Sequence, residues 1–430
     1  MRVTVLGLWH LGCVTASCLA EAGHSVVGLD LDAKVVGDLQ QGKPPLHEPG
    51  LAELIGEQSK RGTLSFITDA STALSDAEVL WVAFDTPVND NDEADVAWVR
   101  GQLDTVADYI RPGTLVLVSS QVPVGFTASL ERAWAGRGLR FAVSPENLRL
   151  GKALDCFRKP ERVVVGCRAE ASKALLQELF KPFCENLVWM SIESAEMTKH
   201  ALNAFLATSV TFINELSRIC EAVGADAKEV ERGLKSESRI GPKAYLSPGA
   251  AFAGGTLARD IRFLIDLAQK GKTGAPLFQG VWDSNNIHKE WVQSSVKKLL
   301  NGCQQPVVAV LGLTYKPGTS TLRRSSAVEL CRWLHKQDVC VKGLDPAISA
   351  LPADLDTALQ LCETPASALA GADVAVIATE WPEFRALPAD LFVRQMRSPC
   401  VIDQNHFLAQ TLGSDRRIRY QATGVKPLAA

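Results

Sequence analysis

No stretch of this 430-residue chain is long and apolar enough to span a bilayer. Its longest apolar run, around residues 204–213, is broken by Thr208, Ser209 and Thr211 and falls short of the roughly 18–20 residues a spanning helix needs. Positive charge is not in excess either. Lys and Arg total 45 against 48 Asp and Glu, a net charge of -3, which gives no electrostatic reason to expect a nucleic-acid partner. The eleven cysteines are odd in number and include no C-x-x-C pair, so a disulfide framework is not expected; reduced thiols in the cytoplasm are. No metal-ligating set is expected. The N-terminus enters a strand-like Arg2-Val3-Thr4-Val5-Leu6 without the apolar core of a signal peptide. Low-complexity segments and short repeats are absent too.

What is present is the composition of a folded protein, 47% apolar and 22% charged, at a length that suggests two or three domains. The first third alternates short β-branched runs with helical patterns, which predicts stacked βαβ units with a parallel sheet. Strands are expected at Arg2–Leu6, Ser25–Asp30, Val79–Ala83, Thr114–Ser119, Arg140–Val143 and Arg162–Val165. From Ser194 to Val223 an apolar period without internal Gly or Pro predicts one helix of about 30 residues. A second helical region runs from about Asp260 to Leu300. Strand-like runs return at Val307–Leu313, Val339–Leu344 and Val374–Ala378, with a helical stretch Ser325–Lys336 between the first two. The expected fold is α/β: two Rossmann-like doubly wound domains joined by a helical middle domain with a long central helix. Its expected parts are residues 1–190, 191–300 and 301–430.

Gly7-Leu8-Trp9-His10-Leu11-Gly12 lies between a predicted strand and a predicted helix, where a G-x-G-x-x-G fingerprint sets a pyrophosphate on the helix N-terminus. Trp9 occupies the position of the middle glycine, so its side chain must point away or the phosphates must sit differently. Taken alone, the loop could equally be a tight turn with no ligand. Asp30, eighteen residues after Gly12 at the end of the next strand, is placed to accept hydrogen bonds from ribose hydroxyls and to repel a 2′-phosphate. NAD is therefore expected rather than NADP.

Further motifs follow in order along nearly the whole chain: Glu48-Pro49-Gly50-Leu51, Asp85-Thr86-Pro87, Ser120-Gln121-Val122-Pro123-Val124-Gly125 and Ser144-Pro145-Glu146-Asn147-Leu148-Arg149, then Glu196-Met197-Thr198-Lys199 with Asn203, Asn214-Glu215, Arg239-Ile240-Gly241, Gly312–Thr319 and Thr379–Phe384. As an ordered set they resemble the UDP-glucose/GDP-mannose dehydrogenase family. The resemblance implies NAD-dependent oxidation of a nucleotide sugar at its primary alcohol. The family normally carries this through the aldehyde to the carboxylate, with a cysteine that traps the aldehyde and becomes a thioester. It also implies a homodimer, which the apolar faces of long middle helices would favour.

By the same resemblance Leu11, Lys34, Thr86, Gln121, Arg259 and Arg323 join Gly7, Gly12 and Asp30 around the cofactor. Arg149, Arg239, Tyr245, Gly249, Phe252 and Lys316 are implied at the nucleotide sugar. Lys199 and Asn203, spaced i, i+4 on the predicted long helix, are implied to bind the sugar and orient its hydroxyl, with Lys199 stabilising oxyanion charge. A face carrying Glu196, Lys199 and His200 could equally be a solvated stripe. Glu146, after Pro145 at a strand end, could accept a proton directly or through water. Asp260 could position water or tune the lysine by its charge.

The departures gather at the reaction centre. Ala251–Asp260 resembles the family's G-F-G-G-x-C-x-P-K-D loop with Thr256 in place of the cysteine and Arg259 in place of the lysine. Gln121, Leu150, Asn147 and Trp9 also stand where the family carries other residues. A threonine hydroxyl is almost wholly protonated near neutral pH, whereas a thiol already supplies some thiolate. The expectation is a dehydrogenase that keeps hydride transfer and stops at the carbonyl level, or reaches acid slowly through the hydrated aldehyde. The alternatives are an isomerase or epimerase that retains NAD, and a non-catalytic nucleotide-sugar-binding protein.

Overall fold

The computed structural model describes every residue except 90–92, 253–255 and 427–430. The chain divides into two compact units, Met1–Leu202 and Asn203–Ala430.

The first unit is built on eight strands: β1 (Arg2–Leu6), β2 (Ser25–Leu29), β3 (Leu64–Ile67), β4 (Val79–Val82), β5 (Leu115–Val118), β6 (Arg140–Val143), β7 (Val163–Cys167) and β8 (Leu187–Met190). Their order is β3-β2-β1-β4-β5-β6-β7-β8. The order reverses between β1 and β4, paired in parallel with Leu6 opposite Val82, and the crevice outside their carboxyl ends is the usual ligand site of such a sheet. Strands β4 and β5 are buried at every position, which is why they read as unbroken apolar runs.

One expectation is corrected here, since β6 and β7 pair antiparallel. A parallel connection needs a crossover across the sheet face, and the chain between them holds only a six-residue helix. Helices used below are α1 (His10–Glu21), α2 (Phe126–Ala133), α3 (Ala153–Arg158) and α4 (Ile192–Val223). The 32 residues of α4 match the long helix expected from its period, and the unit boundary falls within it.

In the second unit, α5 (Thr256–Lys270), α6 (Pro276–Lys289) and α7 (Trp291–Leu299) occupy the second helical region. Proline at the first position of α6 is suited to a helix start, because its missing N–H has no intrahelical partner there. Strands β9 (Val307–Leu311), β10 (Cys340–Leu344), β11 (Gln360–Leu361), β12 (Val374–Ile377), β13 (Cys400–Asp403) and β14 (Arg419–Gln421) form an all-parallel sheet ordered β11-β10-β9-β12-β13-β14. Helix α8 (Ser326–His335) connects β9 to β10. This is a second doubly wound sheet with the reversal of the first. Among the described residues, no helix is long and apolar enough to cross a membrane.

Candidate active site

The turn after β1 is closed by its glycines. Gly7 adopts φ +93°, and a Cβ there would lie 2.5 Å from the Phe84 ring. A Cβ on Gly12 would fall 1.7 Å from the Gly7 carbonyl oxygen, so α1 can approach β1 this closely only with glycine. Trp9 is the N-cap of α1, offers no side-chain cap and stands 44% exposed. The Asp30 carboxylate accepts the Leu8 amide at 2.7 Å and the Asp32 amide at 3.0 Å while remaining partly open to solvent. A glycine cradle, a helix N-terminus without a cap of its own and an acidic strand end fit a dinucleotide. Thr86 and Gln121, both buried, meet where the Thr86 hydroxyl donates to the Gln121 carbonyl at 2.7 Å. Lys34 pairs with Asp38 at 2.7 Å on the surface.

Glu146 and Lys199, 53 positions apart in sequence, form an ion pair at 3.0 Å with side chains only 19% and 10% exposed. The second Glu146 oxygen accepts the Leu148 amide at 2.7 Å, fixing the carboxylate. Both residues line a cavity of about 460 Å³ with Arg149, Trp81, Phe157 and Phe180. The solvated-stripe reading of this helix face is excluded, since Glu196 and His200 are buried. Glu196 accepts the Gly125 and Thr127 amides at 2.6 and 3.0 Å, capping α2, although burial still raises its pKa. His200 Nε2 lies 3.0 Å from the Val122 carbonyl. These two contacts set the rotation of α4 that presents Lys199 to Glu146.

In the second unit, the Asn203 amide donates to Asp260, and both side chains are buried. Thr256 is exposed at the start of α5, one turn before Asp260. Part of the loop before it, Ala253-Gly254-Gly255, lies outside the described residues. The segment leading there is clamped from several directions. Asn214 accepts the Gly249 amide and donates to the Ala250 carbonyl, each at 3.0 Å. Asn285 does the same for both backbone groups of Phe252. Asn405 accepts the Ala250 amide at 2.7 Å, and a Cβ on Gly249 would lie 2.5 Å from that oxygen, so a larger residue there would push the Asn405 side chain off this contact. His288 Nε2 donates to the Gly249 carbonyl at 2.8 Å.

The clamps Asn285, His288 and Asn405 were not found by sequence reasoning. The one local signal was the polar pair Asn285 and His288 at i, i+3. Four other candidates lie on exposed stretches. Arg239 pairs with Glu237 at 3.0 Å, Lys316 lies 5.6 Å from the Tyr315 ring, and Tyr245 and Arg323 are exposed. Arg259 is half-buried in the first turn of α5.

Burial holds His288 down from its ordinary 6.5 to about 4, helped by the charge of Arg218. The unfolded chain therefore takes up this proton first as pH falls. The stabilisation is complete above pH 6.5 and is lost as pH drops toward 4, about 2 kcal/mol of it by pH 5. Denaturant titrations at pH 7 and 5 are expected to show that loss, and His288→Gln is expected to flatten the slope. An unchanged slope in the variant would refute this role.

The turn after β9 repeats the first with one difference. Gly312 has φ +90°, and Asp345 at the end of β10 stands where Asp30 does. Asp345 is only 4% exposed, and one of its oxygens accepts the Leu313 and Thr314 amides, the Thr314 hydroxyl and the Trp381 indole N–H at 2.7 to 3.0 Å. It is locked into the fold, whereas Asp30 stays partly open to solvent.

The UDP-glucose/GDP-mannose dehydrogenase family models match as its NAD binding domain over residues 1–184, its central domain over 193–287 and its UDP binding domain over 309–410. The chain is 33% identical to the UDP-glucose 6-dehydrogenase of Pseudomonas aeruginosa, covering 99% of this chain and 97% of that one. It is 32% identical to that of Rhizobium meliloti, with 99% of each covered. A solved UDP-glucose dehydrogenase from Pyrobaculum islandicum superposes with a TM-score of 0.89 at 30% identity, covering 99% and 98% of the two chains. The chain is thus an NAD-dependent nucleotide-sugar dehydrogenase by descent and belongs to the UDP-glucose/GDP-mannose dehydrogenase family.

Proposed function

We propose that this protein oxidises the primary alcohol of a UDP-glucose-like nucleotide sugar and releases the product mainly at the carbonyl level. The observation that carries this reading is the Glu146–Lys199 pair beside the cavity. Bound NAD would supply the hydride acceptor, held by the Gly7–Gly12 turn and Asp30. The Lys199 ammonium stabilises negative charge developing on the sugar oxygen, and Glu146 takes the hydroxyl proton directly or through one water. By the family resemblance Asn203, one turn further along α4, orients that hydroxyl, and Asp260 fixes the Asn203 amide. The alcohol thereby loses a proton and a hydride, which leaves an aldehyde.

Thr256 cannot take the cysteine's part without a base to deprotonate it, so the aldehyde is not captured as a covalent adduct. Acid then forms only through the aldehyde hydrate. The division of labour we assign is cofactor binding in residues 1–190, dimerisation and sugar handling in 191–300, and nucleotide binding in 301–430. Incubation with NAD and a panel of nucleotide sugars, including UDP-glucose and GDP-mannose, tests the reading. Absence of NADH with every sugar would refute it.

The partner we assign is a second copy of the chain. Phe205, Phe212 and Ile219 recur every seven residues on α4, which keeps them on one face, and they stand 72, 50 and 53% exposed. Sedimentation is expected to give a dimer that Phe212→Glu weakens; a monomeric wild type would refute this. We assign the protein to a reducing compartment, the cytoplasm; its eleven free thiols support that reading, and a protein recovered from cells with paired cysteines would contradict it.

A further inference from the structure

The amide that a dinucleotide pyrophosphate would use is already held by a carboxylate. Asp85 follows β4, the strand beside β1 at the sheet's reversal, so its loop borders the same crevice as the Gly7–Gly12 turn. Its Oδ2 accepts the backbone amide of Leu11, the second residue of α1, at 3.1 Å. Helix α1 has no acceptor at its Trp9 N-cap and no acidic residue in its first turn, so Asp85 supplies from another loop the negative charge that this helix end attracts.

The carboxylate is also held in place. On one side of it Phe84 is buried under Gly7 and packs edge-on against Trp98 at 5.3 Å. On the other, buried Thr86 is tied to the Gln121 carbonyl. Asp85 itself faces solvent between these two anchors. A second carboxylate, Asp30, already sits on the neighbouring Leu8 amide at 2.7 Å.

We propose that Asp85 is a built-in competitor for the pyrophosphate site, a residue that sets cofactor affinity. In the NAD-free protein it caps α1. On binding, the diphosphate must take over the Leu11 amide and meet the displaced carboxylate nearby. Competition for one donor and repulsion between like charges both weaken NAD binding, and both favour release of the reduced cofactor. The inference rests on the NAD reading of this turn.

Calorimetric titration of the full chain with NAD tests it, using Asp85→Ala and Asp85→Asn, with folding checked by circular dichroism. Asp85→Ala is expected to lower the NAD Kd by about two- to tenfold. Asp85→Asn keeps an acceptor but loses the charge, and should fall between alanine and wild type. Raising salt from about 0.05 M to about 0.5 M is expected to narrow the gap by screening the repulsion. Without NAD, the Leu11 amide should exchange its hydrogen faster in Asp85→Ala; with NAD, the two proteins should protect it alike. An unchanged or weaker Kd in both folded variants overturns the proposal. Failure of the wild type and both variants to bind NAD at all would overturn the cofactor reading of the turn, and this inference with it.

Discussion

Replacing Lys199 by methionine is expected to lower kcat at saturating NAD and nucleotide sugar by about 10²–10³-fold, the usual cost of removing one preorganised donor from a developing oxyanion. The argument starts from geometry. The ammonium lies 3.0 Å from Glu146 in a setting where both side chains are mostly shielded from water, so its field on a neighbouring oxygen is poorly screened. Methionine keeps much of the side chain's volume and removes the charge. Lys199→Arg keeps the charge but spreads it over a planar fork, and is expected to retain more activity. Glu146→Gln removes the base while preserving shape, with an expected loss of about 10²–10⁴-fold. A pair that served stability alone would give a different pattern: lower resistance to denaturant, with kcat nearly intact in the molecules that remain folded.

The second large effect concerns the first residue of α5. Thr256→Cys is expected to raise the NADH formed per sugar from about one toward about two, because a thiol near neutral pH supplies some thiolate without a dedicated base. Position 256 opens a helix, where the dipole lowers a thiol's pKa further, and it is exposed enough for a ligand to reach. Activity of the variant should also become sensitive to iodoacetamide in a way that the nucleotide sugar protects against. A variant still producing about one NADH per sugar would show that the loop has lost more than its nucleophile.

Much of this molecule was legible because its central strands are buried on both faces and read as unbroken apolar runs. Edge and short strands were not. β3 alternates over only four residues, and β11 has two. β13 is a four-residue buried run of the kind that periodicity cannot assign. The turn from β6 into β7 was misread for another reason, since the direction of a strand depends on whether the intervening chain crosses the sheet.

At the site, Gly7, Gly12 and Asp30 are set by local spacing and could be read directly. Glu146 and Lys199 needed the family resemblance, because nothing local brings residues 53 apart together. Glu196 and His200 looked like a solvated face because charged residues usually are; their partners are backbone groups on another segment, which a pattern of residue types does not show. The same holds for His288 and Asn405, whose task is to hold backbone 39 and 155 residues away.

The central claim is that hydride transfer survives here while thioester chemistry does not. Its most direct test is to incubate the wild-type protein with UDP-glucose and excess NAD and count NADH formed against sugar consumed, trapping any aldehyde with a hydroxylamine. The account predicts prompt formation of about one NADH per sugar and a trappable aldehyde, with any further NADH appearing slowly. Two NADH per sugar formed at the rate of the first, with no aldehyde trapped, would contradict it.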